Sequence, residues 1–151
     1  MPDFRNLGVI ARVLMTANAA AALGALFAAA DLLQALERFV EMAAFLEPLL
    51  LANLIVLIPV SPLLQRLPYL AGCAAVVSLA VALGALYHAL LRALVAEALP
   101  DLARTLVLCA VLAALVLASL RLVAKAHSPA LVEARLQALQ ARIRPHFLFN
   151  S

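Results

Sequence analysis

Four long apolar runs constrain the fold more than any other feature of this 151-residue sequence. They cover roughly residues 9–30, 42–60, 69–91 and 105–120, and the fourth is short unless flanking residues from 102 to 123 join it. A helix needs about 20 residues to cross about 30 Å of hydrocarbon, so each run approaches the length of a membrane span. No run alternates polar and apolar residues as strands of a transmembrane β-barrel do. We therefore predict an all-α membrane protein with four transmembrane helices.

The composition supports lipid as the solvent. Apolar residues make up 68% of the chain and charged residues 13%, whereas a soluble domain is about half apolar and about a quarter charged. The first run resembles a signal peptide, because Arg5 and Arg12 lie near its start and three alanines, residues 28–30, end it. It is longer than the usual apolar core of about 7–15 residues. We interpret it as a retained span.

The connections between the runs are short. Residues 31–41 mix apolar and charged side chains, which predicts either an interfacial amphipathic turn or a helical extension of the spans. Residues 61–68 are predicted to form a turn, and residues 92–104 a second short loop, because proline discourages helix continuation. The prolines concerned are Pro59, Pro62, Pro68 and Pro100.

Lysine and arginine predict the orientation, since they are enriched in cytoplasmic loops. With four spans both termini lie on one side of the membrane, and that side holds eight of these residues: Arg5, Arg12, Arg66, Arg121, Lys125, Arg135, Arg142 and Arg144. The other side holds three: Arg38, Arg92 and Arg104. We therefore expect a multi-pass protein of the bacterial inner membrane, in contact with lipid, with both termini cytoplasmic.

The composition changes after Arg121, which predicts two parts: a four-span sensor domain, residues 1–121, and a cytoplasmic linker and dimerisation helix, residues 122–151. Ser128 and Pro129 fit either a helix start or a kink in one long helix. Beyond them, apolar residues are spaced four, three, four, as in the a/d seam of a coiled coil, which pairs with a partner helix. The seam consists of Val132, Leu136, Leu139 and Ile143. It predicts a homodimer with a cytoplasmic signalling helix.

The chain ends in the sequence LQALQARIRPHFLFNS. Its last part, Pro145-His146-Phe147-Leu148-Phe149-Asn150, resembles the phospho-acceptor box of LytS-type sensor histidine kinases, and the helical lead-in from residue 136 to 143 matches as well. The match covers only about the last sixteen residues, but the PHFLFN string is specific. The resemblance implies that His146 is the phospho-acceptor and that Pro145, Phe147, Phe149 and Asn150 support it.

The resemblance also implies ATP and Mg²⁺ as cofactors of the full-length kinase, and a LytTR-type DNA-binding response regulator as the cytoplasmic partner. A neutral imidazole nitrogen is a suitable nucleophile at pH 7, and phosphoryl transfer needs mainly positioning and charge stabilisation. The chain itself shows no nucleotide-binding motif up to Ser151. We therefore expect it to be inactive alone and to bind no cofactor or metal, and no direct contact with nucleic acid is expected.

The box departs from the pattern of most sensor kinases in one respect. Phe147 follows the histidine, as is usual in the LytS group, where most sensor kinases have an acidic residue that orients the imidazole. Asn150 lies one helical turn further on and is a candidate for that role. Arg142 and Arg144 stand where the family commonly has Gln and Asn.

Three polar residues interrupt the apolar runs at a similar expected depth: Asn18, Asn53 and Ser78. We expect them to form hydrogen bonds across helices, either as packing contacts or as part of a ligand or signal site.

Glu47 lies in the expected outer part of the second span, and a carboxylate inside a membrane is a functional candidate by default. His88, Arg92 and Arg104 are predicted near the same boundary. Glu47 is therefore expected either to pair with one of them or, together with His88, to report external cations or pH.

Small residues four apart suggest close helix contacts, either within one protomer or across a dimer. They are Ala20, Gly24 and Ala28 in the first run, and Ala80 and Gly84 in the third. Cys73 and Cys109 are predicted at depths roughly 20 Å apart, too far for a disulfide. The alternative to a sensor is a small four-span transporter or membrane scaffold protein, for which the seam and the PHFLFN string would have no use.

Overall fold

The computed structural model describes residues 2–94 and 101–126. Among these residues every regular element is an α-helix, and each of the four helices is long and apolar enough to span a membrane. They are α1 (Leu7–Ala28), α2 (Leu32–Gln65), α3 (Tyr69–Leu94) and α4 (Leu102–Ala126). This confirms the prediction of an all-helical chain with four helices long and apolar enough to cross a membrane. The expected cytoplasmic signalling helix falls beyond the described residues and stays a prediction, as does the domain division.

Side-chain caps define where α1 and α2 begin. The Asn6 side chain accepts a hydrogen bond from the Gly8 amide at 2.8 Å, and the Asp31 carboxylate accepts one from the Gln34 amide, also at 2.8 Å. The Gln34 side chain in turn accepts from the Ala30 amide at 2.7 Å. These bonds satisfy amides that have no partner within the helix. The α1–α2 connection is therefore short and fixed by side chains.

The predicted turn at residues 61–68 is wrong over most of its length, because α2 continues to Gln65. The helix passes through Pro48, Pro59 and Pro62. In lipid a helix cannot expose open backbone, and packing against neighbouring helices allows proline to stay within it. The actual turn is limited to residues 66–68, where the Arg66 amide donates to the Leu63 carbonyl. Of the two alternatives for residues 31–41, the structure shows the helical extension: α2 begins at Leu32, with Asp31 as its N-cap.

The helices contact one another in chain order, and the first also contacts the last. The second helix packs against both α1 and α3. The hydroxyl groups of Thr16 on α1 and Ser119 on α4 lie 3.3 Å apart, within hydrogen-bond distance. Gly84 on α3 lies against Cys109 on α4. A buried apolar cluster with members from all four helices fills the space between them.

On α1 the buried small residues are Ala17, Ala21 and Ala25. The predicted stripe of Ala20, Gly24 and Ala28 lies on a neighbouring face, and Gly24 and Ala28 are exposed within the protomer. Alanine occupies most positions of this part of α1, so the sequence offers several stripes with the same spacing. The predicted stripe therefore does not make the main contact inside the chain.

On α3 the predicted small-residue contact forms within the protomer. A Cβ atom added to Gly84 would lie only 2.6 Å from the Cys109 sulfur, closer than atoms can approach without displacement. Glycine at this position lets α3 and α4 come together. Cys73 and Cys109 are both free thiols, as predicted.

Substitution tests this close approach. Gly84→Ala should lower the free energy of unfolding by about 1–3 kcal/mol, because the added methyl group overpacks the contact with Cys109. The matched control is Gly24→Ala, where the added Cβ would meet only Met42 at an ordinary 3.6 Å. Unfolding by denaturing detergent in mixed micelles, followed by circular dichroism, measures both. Cys109→Ala should restore the stability of the Gly84→Ala variant, and failure of this rescue would contradict the contact.

The segment before α1 closes one end of the bundle. Phe4 is only 1% exposed and belongs to the same buried cluster as Leu117 and Leu120 of α4. Its amide donates to the Ser61 hydroxyl at 3.1 Å, and that hydroxyl donates to the Asp3 carboxylate, also at 3.1 Å. Ser61 is fully buried. We call Phe4, together with Asp3 and Ser61, the N-terminal plug.

Truncating Phe4 of the plug should cost far more stability than truncating a phenylalanine on the exposed surface of the bundle. Phe4→Ala removes a buried ring and should lower the free energy of unfolding by about 3 kcal/mol. Phe27→Ala is the matched control, because Phe27 is 94% exposed and its loss should cost less than about 0.5 kcal/mol. The same detergent titration measures both. Equal effects of the two substitutions would contradict a packing role for Phe4.

Candidate functional site

The residues predicted to carry the phosphotransfer chemistry lie outside the described residues. They are the acceptor His146, its neighbours Pro145, Phe147, Phe149 and Asn150, and the seam residues Val132, Leu136, Leu139 and Ile143. Their assignment stays a prediction from the sequence. The structure does describe the four residues predicted as sensing candidates: Asn18, Asn53, Glu47 and His88.

Glu47 and Asn18 form a polar contact between α2 and α1. The Asn18 side-chain amide donates to a Glu47 carboxylate oxygen at 2.7 Å, and also to the Leu14 carbonyl of its own helix at 3.0 Å. Both residues are partly buried. The contact gives the carboxylate a donor inside an apolar bundle, where an unpaired carboxylate would be costly.

This pairing differs from the one predicted for Glu47. In the described part of the chain no ion pair joins Glu47 to Arg92, Arg104 or His88; its hydrogen-bond partner is Asn18. The reason is helix register. Phe4 and Asn18 are as many residues apart as Glu47 and Ser61. One antiparallel register therefore forms both the Phe4–Ser61 contact and the Asn18–Glu47 contact. The predicted outer position of Glu47 depended on starting the second span at residue 42; α2 begins at Leu32, so Glu47 lies near the middle of the helix.

A double-mutant cycle tests the Asn18–Glu47 contact. Asn18→Leu should destabilise the fold by about 1 kcal/mol, because it leaves the carboxylate without its donor. Glu47→Leu in the Asn18→Leu background should recover most of that loss, giving a measurable coupling between the two sites. Glu47→Gln keeps an acceptor oxygen of the same shape and serves as the matched control. Independent, additive effects of the two leucine substitutions would show that the contact contributes nothing to stability.

His88 is buried rather than displayed to the outside. It is 5% exposed, and its Nδ1 atom has no hydrogen-bond partner within residues 2–94 and 101–126. Gly84 of α3 lies against Cys109 of α4, and His88 and Thr105 each lie one turn along their helix from that contact. Thr105 is also buried, and its hydroxyl donates to the Asp101 carbonyl at 3.3 Å.

Asn53 does not bond to Asn18 or Ser78, contrary to the prediction from depth. Its side-chain amide donates to the Leu49 carbonyl of its own helix at 2.8 Å. A carbonyl only accepts hydrogen bonds, so this bond fixes which end of the Asn53 side chain carries the nitrogen. The other end, Oδ1, is buried and has no hydrogen-bond partner among the described residues.

Asn53 lines a cavity of about 70 Å³ between the helices. The wall is otherwise formed mainly by aliphatic side chains, with Phe4 of the N-terminal plug and Cys109 of α4 also contributing. Sequence reasoning identified Asn53 as a candidate but missed the cavity and the plug. The sequence gives little indication of the plug, because Phe4 is a single phenylalanine before α1 and belongs to no segment with helical periodicity.

No family model, curated protein or solved structure matches the chain.

Proposed function

We propose that the chain is the membrane sensor and signal-transmission part of a two-component histidine kinase of the LytS type, located in the bacterial inner membrane with both termini in the cytoplasm. The observation that carries the proposal is the PHFLFN string at residues 145–150. Its position after four spans is the order that a membrane sensor kinase requires: spans first, then a cytoplasmic helix, then the acceptor.

The chemistry proposed for His146 is transfer of the γ-phosphoryl group of ATP. A ring nitrogen of the neutral imidazole forms a bond to the γ-phosphorus as the bond from that phosphorus to the ADP oxygen breaks. Mg²⁺ and an ATP-binding domain supply the charge stabilisation in kinases of this kind. The phosphoryl group then passes to an aspartate of a LytTR-type response regulator. Pro145 removes a backbone donor just before the histidine, which favours a local break in the helix there.

Signal transmission is proposed to run through α4. Within the bundle, the turn of α4 that contains Leu117 and Leu120 shares a buried cluster with Phe4 and residues of the other three helices. A change in the packing of the spans therefore acts on this turn of α4. From there the proposed route follows the helix to the seam formed by Val132, Leu136, Leu139 and Ile143 of two protomers, and on to His146.

The geometry gives less support to the transporter alternative. Substrate and ion sites of transporters usually place an ionisable residue in a cavity near the membrane midplane. Glu47 is hydrogen bonded to Asn18 and does not line the described cavity, whose wall is mainly apolar. This arrangement fits a packing contact better than a transport site.

Phosphorylation of the full-length protein tests the proposal. Incubation with ATP labelled at the γ-phosphate should give an acid-labile, base-stable label, as expected for phosphohistidine. His146→Gln should abolish the label, because it removes the nucleophilic ring nitrogen. His127→Gln is the matched control, since His127 lies in the same cytoplasmic segment but outside the PHFLFN string, and it should retain the label. Persistence of the label in the His146→Gln variant would overturn the proposal.

A further inference from the structure

Arg12 is a charged residue on an apolar face of α1. The helix begins at Leu7, so the Cα atom of Arg12 lies about 8 Å inside it at about 1.5 Å per residue. The Arg12 side chain is exposed. Helical spacing puts it on the same side of α1 as Met15 and Leu23, which are 71% and 61% exposed. In a membrane this side of α1 meets lipid, where a charged group needs a partner of opposite charge.

No carboxylate provides that partner within residues 2–94 and 101–126, where Arg12 forms no ion pair. The nearest acidic residue along the chain is Asp3, which belongs to the N-terminal plug. Its Oδ1 atom accepts hydrogen bonds from the Arg5 amide at 3.0 Å and from the Ser61 hydroxyl at 3.1 Å. The described part of the chain therefore leaves the charge of Arg12 unbalanced.

The end of the bundle at which α1 begins carries an excess of positive charge. The bond from the Phe4 amide to Ser61 brings the start of α1 to the end of α2. Within residues 2–94 and 101–120 this end holds one acidic residue, Asp3, and three arginines, which we call the basic rim: Arg5, Arg12 and Arg66. At the opposite end, acidic residues accompany the basic ones: Asp31, Glu37, Glu41 and Asp101 beside Arg38, Arg92 and Arg104.

The direction of the Arg12 side chain brings its charge toward the membrane surface. Side chains of an α-helix tilt toward its N-terminus, so the Arg12 side chain extends over the preceding turn. Gly8 lies in that turn on the same side of α1 and is exposed. A Cβ atom added to Gly8 would meet the Asn6 side chain at 3.1 Å and no atom of another helix within 4 Å. The space beside the guanidinium group is therefore open to a head group.

We propose that the basic rim binds the phosphate of an anionic phospholipid, with Arg12 as the principal contact and the acyl chains lying along Met15 and Leu23. A planar guanidinium group donates paired hydrogen bonds to phosphate oxygens. The phosphate of phosphatidylglycerol brings a net negative charge to the rim. The choline group of phosphatidylcholine neutralises its own phosphate and would leave the arginines unbalanced.

The surroundings of Arg12 favour a lipid over a free phosphate ion. A free ion would match the guanidinium group but would have to enter the apolar surface formed by Met15 and Leu23 without its water. A phospholipid satisfies both parts of this surface at once. The inference goes beyond the proposed function. It requires neither His146 nor a particular orientation of the chain, so the two proposals fail in distinguishable ways.

The test is native mass spectrometry of the full chain in detergent, with dioleoyl-phosphatidylglycerol or dioleoyl-phosphatidylcholine added. The unaltered chain should bind phosphatidylglycerol more tightly. Arg12→Gln should weaken that binding about fivefold, the effect of one basic side chain at an anionic surface. Arg12→Lys keeps the charge and should retain most of the binding. Arg38→Gln is the matched control, because it removes the same charge from the opposite end of the bundle, and it should bind as the unaltered chain does.

Unchanged binding in Arg12→Gln overturns the proposal. Equal weakening in Arg38→Gln also overturns it, because the net charge of the chain would then determine binding. Equal affinity for the two lipids contradicts an anionic head group, and displacement of phosphatidylglycerol by an equal concentration of inorganic phosphate contradicts a lipid occupant. Circular dichroism establishes that each variant folds. If Arg12→Gln does not fold, Arg5→Gln removes another charge of the basic rim, and it must weaken phosphatidylglycerol binding for the proposal to stand.

Discussion

Close approach between helix backbones is the constraint on which the rest of the bundle depends. In lipid, burial of apolar surface gives little driving force for helix association, because the acyl chains are as apolar as leucine. Association therefore relies on van der Waals contact, which falls off steeply with distance. The contact of Gly84 with Cys109, and the alanines on the buried face of α1, provide that proximity. Longer side chains at these positions would push the helices apart.

Polar side chains hold the bundle at a few defined points within this packing. Thr16 faces Ser119 between α1 and α4, and Asn18 donates to Glu47 between α1 and α2. These contacts are individually weak in membranes, at about 0.6 kcal/mol on average. Because each needs one specific alignment, they select a single register among several that apolar packing alone would allow.

The sequence was sufficient to predict four spans, because runs of about 20 apolar residues have few alternatives in lipid. It was not sufficient to predict the residue at which α2 ends. Proline is read as a helix breaker in water, whereas here Pro59 and Pro62 lie within α2. The prediction also placed the start of α2 at residue 42 instead of Leu32, which put Glu47 too close to one end of the span and hid its contact with Asn18. The cavity depends on how four helices leave space among themselves, which no local pattern records. The proposed role of His146 rests on its motif alone.

The N-terminal plug has a consequence for the order of assembly during synthesis. Phe4 precedes all four helices in the chain, yet its buried neighbours include Leu64 at the end of α2 and Leu117 and Leu120 on α4. A ribosome produces these partners long after Phe4 has emerged. The first aromatic ring to be made is therefore among the last to be buried, and its docking marks the point at which the fourth helix has joined the other three.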